Sequence, residues 1–449
     1  MKQVFASVVA ALAVAAAVDG TRNAEIAAAI KSRVEAKKST GMVVATIESD
    51  GSSSIAAFGD PGPGAKPLDA DSVFEIGSIT KVFTAILLAD MADRGEVKLE
   101  DPVVKYLPAG VRVPERNGKQ ITLIDLSTQS SGLPRMPDNL RPADPRNPYA
   151  DYTAEQMFEF LGRYQLTREI GVQFEYSNLG VGLLGQALSR RAGKSYEALV
   201  KERILAPLRM DHTGIALTPW MNDHLVKGHD GTGTVTANWD IPAFAGAGAL
   251  RSTMNDMLKF ARANLDPAGG RLQRAMQQTH GVRRNTGAPD MSVGMNWLIR
   301  SVNGRDVVWH NGGTGGYRSW VGFDKSRKIA AVVLTNSSIG NDDLGLDLVV
   351  PRPAAQKDGD WPKASPESQG LSPAPFAAID QDVGAGVYGN IDAIAVVRNG
   401  TLVVGPPVHT QLPGHQQGTE RAPRLRPRMH GSCPDERVQL PPPPLASVL

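Results

Sequence analysis

Between residues 22 and 350, strand-forming segments stand at both ends and a long helical stretch stands between them. This order constrains the fold more than any other feature, because strands need edge partners and these lie at opposite ends of the chain. At the amino end, Asn23–Lys38 carries helical apolar spacing (Ile26, Ile30, Val34). It leads into GMVVATIES, which turns at Asp50-Gly51 into SSSIAAFGD, so a helix feeds a hairpin. At the far end come GMNWLIRS, RDVVWH, RSWVGFD and KIAAVVLTN in series, with Asn303-Gly304 as a hairpin turn. The middle, about 95 to 290, reads as helices and loops, including YSNLGVGLLGQALSRRAG and SYEALVKERIL. Thr253-Met-Asn-Asp256 there has the spacing of a capping box. The predicted class is α/β of the α+β kind: an antiparallel sheet flanked by helices, with an inserted, mostly helical lobe and a cleft where the two lobes meet.

Composition narrows the function. The 449 residues carry 48 Lys+Arg against 46 Asp+Glu, a formal net charge of +2, which gives no electrostatic footprint for nucleic acid. One cysteine, Cys433, excludes an intramolecular disulfide, and the sequence has no HExxH, EF-hand or Cys/His cluster. No metal and no cofactor is therefore expected. Ala192-Gly-Lys194-Ser195 resembles the end of a phosphate loop, but Leu188 stands where the earlier glycine belongs. A Gly-x-Ser-x-Gly elbow is absent.

The two ends read differently from the body. Residues 1–18 hold Lys2, an apolar run and small residues at Ala13, Ala15 and Ala17, the grammar of a signal peptide too short to span a bilayer. Export to a periplasm or the medium is expected, with no stable membrane span after processing. The main domain is predicted over 22–352 and a Pro-rich linker over 353–374. Residues 375–405 form a partial repeat of the domain start, with a second turn at Asn399-Gly400, and 406–449 a disordered tail.

Three short patterns carry chemistry. Ser78-Ile-Thr-Lys81 opens the SITKVFTAILL helix, whose Val82, Phe83, Ile86, Leu87 and Met91 share an apolar face. An i, i+3 spacing places the hydroxyl and the amine one turn apart on one face, and free N–H groups at the helix start suit an oxyanion. A serine alcohol needs an adjacent base, and Lys81 can serve once burial lowers its pKa. Tyr176-Ser-Asn178 precedes the LGVGLLG helix. Its phenol can relay a proton if nearby cations lower its pKa, and its amide can hold a substrate carbonyl or the lysine amine. The same stretch also reads as a helix entry with Asn178 as N-cap. His310-Asn-Gly312-Gly313-Thr314-Gly-Gly ends the RDVVWH strand. It reads either as a glycine-rich turn with a surface histidine or as a strand edge that a ligand approaches closely, with Gly313 N–H paired to Ser78 N–H as an oxyanion hole.

Taken in order, Ser-x-x-Lys, Tyr-x-Asn about 100 residues on, and a Lys/His-x-Gly strand followed by Thr-Gly-Gly resemble the penicillin-recognising serine hydrolases. The branch is that of class C β-lactamases, D-Ala-D-Ala carboxypeptidases and family VIII esterases. FEIGSITKVFTAILLADM, SGLP at 131–134, FEYSNLGVGLLGQAL, GAGALRSTMNDMLKF and HNGGTGGYRSW extend the likeness over about 30 to 350. The resemblance implies a β-lactamase/transpeptidase-like fold and an acyl-enzyme on Ser78, activated by Lys81, with Tyr176 relaying protons. Asn178, His310, Gly312, Gly313 and Thr314 would bind substrate: a β-lactam, a peptidoglycan peptide or an ester. A non-turnover penicillin-binding protein would use the same residues. Two departures stand out. His310 occupies the place of a common lysine and is mostly neutral near pH 7; Gln129 lies where relatives often have histidine.

Overall fold

The computed structural model describes residues 22–302, 304–350, 362–384, 396–398 and 401–403. It divides into two compact units that part at Pro351 and Arg352. Residues 1–18, Asn303, the Asn399-Gly400 turn and the tail at 406–449 lie outside the described residues.

The first unit is built on an eight-stranded antiparallel sheet. Taken across the sheet, its strands are Ser53–Gly59, Gly41–Ile47, Ile329–Thr335, Arg318–Asp324, Arg305–Gly313, Leu298–Val302, Met291–Val293 and Arg284–Asn285. The ends of the unit do come together: Met42 pairs with Thr335 and Ile47 with Ala330. Val302 pairs with Arg305, so their connection is two residues long, and Gly304 adopts φ +72°.

Every residue of Gly41–Ile47 is buried, because helices cover both faces of the sheet. Val43, Ala45, Val308 and Val321 face the large core shared with the helical lobe. Met42, Val44, Val307, Trp309 and Trp320 face a smaller core closed by Ile26 and Ile30 of the helix at 22–35 and by Leu344 and Leu348 of Asp342–Val349. The period of two then decides the site. Val308 lies on the lobe side, so His310 and Gly312 do too.

The Thr80–Asp93 helix is buried on all sides from Thr80 to Met91, rather than on one face as its pattern suggested. Helices Asn178–Ala192, Ala245–Gly248 and Arg271–Thr279 surround it, which explains its apolar circumference. The middle lobe also holds strands: Val73–Glu75 pairs with Arg251–Thr253, tying the entry of the serine helix to the Met254–Leu265 helix. Only half of the expected capping box forms there. Thr253 accepts from Asp256 N, but the Asp256 carboxylate turns instead to His212 N, Thr213 Oγ1 and Lys259.

The second unit contains helix Ala374–Gly384 and a small sheet in which Val396–Arg398 pairs antiparallel with Thr401–Val403. The expected linker is not free of structure. Its Lys363–Ala364 forms a strand parallel to Thr401–Val403, because the apolar hairpin has an unpaired edge that the preceding chain can fill.

Candidate active site

Ser78 sits in a single 3₁₀ turn, Gly77–Ile79, that runs directly into the buried helix. Lys81, one turn on, brings Nζ to 2.9 Å from Ser78 Oγ and donates to the Ala247 carbonyl at 2.7 Å. The lysine is fully buried, and among the described residues no hydrogen-bonded carboxylate meets it. Burial therefore holds its amine well below the usual lysine range, and the Arg135 guanidinium lowers it further. An amine that holds its proton weakly, set against a serine hydroxyl, has the chemistry of a general base. The i, i+3 spacing and its consequence were both legible in the sequence; the carbonyl from the Ala245–Gly248 helix was not.

Tyr176 enters from the loop before Asn178–Ala192. Its ring lies 4.8 Å from Lys81 Nζ and 5.1 Å from Arg135 Cζ, centroid to atom, and Ser78 hydrogen-bonds its phenol. The condition raised for its relay role, a pKa lowered by nearby cations, is not met. Burial pushes it up to about 12, outweighing Ser78 and Arg135, so the phenol keeps its proton near neutral pH.

Asn178 is not the N-cap. Ser177 is, accepting from Gly180 N at 2.9 Å. That leaves the Asn178 amide buried, with neither its oxygen nor its nitrogen hydrogen-bonded. It borders a small apolar pocket with Met136, Tyr149, Ile241, Phe244, Ala247 and Gly248. A buried amide without partners is destabilising unless a ligand supplies them.

From the sheet side, Arg305–Gly313 delivers the third pattern. His310 is buried, not on the surface, with its ring centroid 6.1 Å from that of Tyr176 and Nδ1 2.5 Å from the Asn311 carbonyl. Burial, with Lys81 nearby, pushes its pKa down to about 3, so it is a neutral imidazole. Gly312 cannot be replaced: a Cβ there would lie 2.0 Å from the Ile76 carbonyl, which already accepts from Ser319 Oγ. At Gly77, with φ +49°, a Cβ would lie 2.7 Å from Gly313 N. The serine turn and the strand end are thus in backbone contact, which brings the Ser78 and Gly313 amides to one place. Thr314 is buried just past the strand end, where its N–H donates to the Tyr317 carbonyl at 3.1 Å.

Sequence reasoning missed a supporting layer. Gln129, to which no consequence could be attached, is buried at φ +57° and accepts from Glu175 N and Ser177 N, both at 2.7 Å. Asn296, also at φ +57°, joins it to the Lys81 carbonyl. Positive φ at a non-glycine residue leaves no mark in the sequence.

Comparison with known proteins identifies the family. A sequence model described as Beta-lactamase matches residues 26–356. The chain belongs to the beta-lactamase family. It is a serine hydrolase of the β-lactamase/DD-peptidase type with the corresponding fold. The D-alanyl-D-alanine-carboxypeptidase/endopeptidase AmpH of Escherichia coli K12 is 31% identical over 334 residues, covering 69% of this chain and 85% of that protein. A beta-lactamase of the same organism is 28% identical over 313 residues, covering 62% and 78%. A beta-lactamase/D-alanine carboxypeptidase from Yersinia pestis, solved with citrate, superposes with a TM-score of 0.60 at 27% identity, covering 68% of this chain and 89% of that one. Among the described residues, no helix is long and apolar enough to cross a membrane.

Proposed function

We propose that Ser78 is the nucleophile of an exported acyl-transfer hydrolase acting on D-Ala-D-Ala-type peptides and β-lactams. The observation that carries this reading is the buried Lys81 amine, 2.9 Å from Ser78 Oγ and held below its ordinary pKa. In the acylation step a bond forms from Ser78 Oγ to the substrate carbonyl carbon while the hydroxyl proton passes to Lys81 Nζ. The oxyanion accepts hydrogen bonds from the Ser78 and Gly313 amides; such a donor elsewhere contributes about 3 kcal/mol. The C–N bond then breaks, and the leaving nitrogen takes a proton from the Tyr176 phenol, which Lys81 replenishes. Water reverses the sequence in deacylation: it gives its proton to the same base as its oxygen bonds the acyl carbon, and Ser78 Oγ leaves as the alcohol. Asn178 offers its free amide to the substrate carbonyl, while Gly312 and His310 line the strand side.

The neutral His310 supports a second reading, a carboxylesterase with the same residues, because no fixed charge at that position favours a substrate carboxylate. Thr314 serves this site through the turn it stabilises. Residues 1–18 direct export, and 22–352 suffice for catalysis. The deciding experiment incubates the purified protein with a fluorescent penicillin and reads intact mass. One adduct per chain, absent in Ser78→Ala, supports the acyl-enzyme; no adduct in the wild type, or an equal one in the variant, refutes it. Hydrolysis of a D-Ala-D-Ala peptide, nitrocefin and a short p-nitrophenyl ester, side by side, separates the peptidase, β-lactamase and esterase readings. Labelling without turnover identifies a non-turnover penicillin-binding protein.

A further inference from the structure

We infer that Gln129 is a positioning residue that sets Tyr176 and Lys81 in register with Ser78. The backbone carbonyl of Gln129 accepts from Glu175 N, and its side-chain Oε1 accepts from Ser177 N, so the residues before and after Tyr176 both hang from one residue. Its Nε2 donates to Asn296 Oδ1 at 2.9 Å, and Asn296 Nδ2 donates to the Lys81 carbonyl at 3.2 Å. Asn296 is anchored in turn by its own N–H, 2.6 Å from the Ser127 carbonyl. The loop of the phenol and the helix of the amine are thereby joined by a chain of three hydrogen bonds through two side-chain amides, with the Glu175–Gln129 backbone bond beside it. Both amides are at most 3% exposed.

Two features mark this as a device and not ordinary core packing. Gln129 and Asn296 both stand in the left-handed region, a conformation costing roughly 1 kcal/mol or more for a residue with a side chain. The demand on the side chain is also specific: one acceptor toward Ser177 and one donor toward Asn296. A neutral imidazole offers the same pair, one ring nitrogen accepting and the other donating. Glutamine is thus a chemical equivalent of histidine here, which accounts for the departure seen in the sequence. Leucine, alanine or glutamate cannot meet both demands.

The kinetic part of the test rests on the proposed Ser78 acyl-enzyme; a second readout does not. Gln129→Ala, Gln129→His and Asn296→Ala are compared with wild type for the first-order acylation rate constant and the dissociation constant of the penicillin. Gln129→Ala and Asn296→Ala should slow acylation about 10- to 100-fold, the scale of a misplaced catalytic group, with dissociation constants within about threefold. Gln129→His should recover to within about fivefold of wild type above pH 8. Independently, NMR of ¹³C-lysine-labelled protein reads the Lys81 midpoint. The titratable groups facing that amine are His310, Tyr176 and Arg135, and none of them is altered. Loosening the amine should admit water and raise the midpoint in Gln129→Ala. Where alanine does not fold, Gln129→Glu, which keeps the acceptor and loses the donor, takes its place in both readouts. Acylation within twofold of wild type, an equally slow histidine variant, or an unmoved Lys81 midpoint each overturns the inference. If the wild type forms no adduct, the acyl-enzyme reading fails and the midpoint alone decides the role of Gln129.

Discussion

Two basic side chains, Arg251 and Lys81, are buried in the first unit, and they are treated in opposite ways. Arg251 meets the Glu75 carboxylate at 3.4 Å and donates to the Ile215 and Trp239 carbonyls; Glu75 is held in turn by Trp239 N and Asn238. Lys81 has a carbonyl, a hydroxyl and an aromatic face, but no paired carboxylate. The first arrangement compensates the charge and fastens the small strand pair to its surrounding loops. The second leaves the charge uncompensated, so the amine holds its proton more weakly. A cation buried with a counter-ion is a rivet, and a cation buried without one is a base.

That contrast predicts effects of opposite sign. Lys81→Met should lower the acylation rate constant by a thousandfold or more, on the scale of losing a general base. The same change should raise thermal stability. Lys81 binds its proton more weakly in the fold than in the unfolded chain, so below the unfolded pKa the unfolded state gains protons and stability falls as pH falls. Removing the amine removes that penalty, and melting curves at pH 7 should rise by about 2 °C or more. A fall in melting temperature breaks the comparison.

Arg251→Met should do the reverse. Leaving Glu75 buried without its partner should destabilise by about 3 kcal/mol in denaturant titration, while the folded fraction acylates within about threefold of wild type. Next in size is the pH profile of acylation. The rate should rise with pH through one acidic limb as Lys81 loses its proton. No second limb is expected near neutrality, because His310 is pushed down to about 3 and Tyr176 up to about 12. A limb that vanishes in a His310→Asn variant assigns the titration to the imidazole and not the amine. The smallest effect belongs to the second unit: truncation after residue 352 should leave kcat/KM within about twofold and improve solubility. Loss of activity would make that unit part of the working enzyme.

The legibility of the molecule follows the range of its interactions. The helix start and the i, i+3 pair are local, and each could be read from spacing alone; the face His310 takes could not, because it depends on which core Val308 joins. The joining of Gly41–Ile47 to Ile329–Thr335 followed from the need for a partner. What stayed hidden depends on surroundings assembled from distant segments. The direction of the Tyr176 shift could not be read, because it depends on a burial that outweighs Ser78 and Arg135 and that no local spacing reveals. Asn178 was offered as a cap because Asn caps helices, but the preceding serine does so and releases the amide. Gln129 was noticed only as a spelling difference, since nothing in a linear string reveals which amides it will meet.

The adjacency of Met42 and Thr335 also governs how this protein can be made. The strand GMVVATI is synthesised near the beginning but receives its central neighbour only after nearly 300 further residues have emerged. Until then an apolar strand keeps one edge open, which delays closure of the sheet and invites pairing with other chains. A ribosome that stops before residue 335 therefore leaves an adhesive fragment in place of a smaller enzyme.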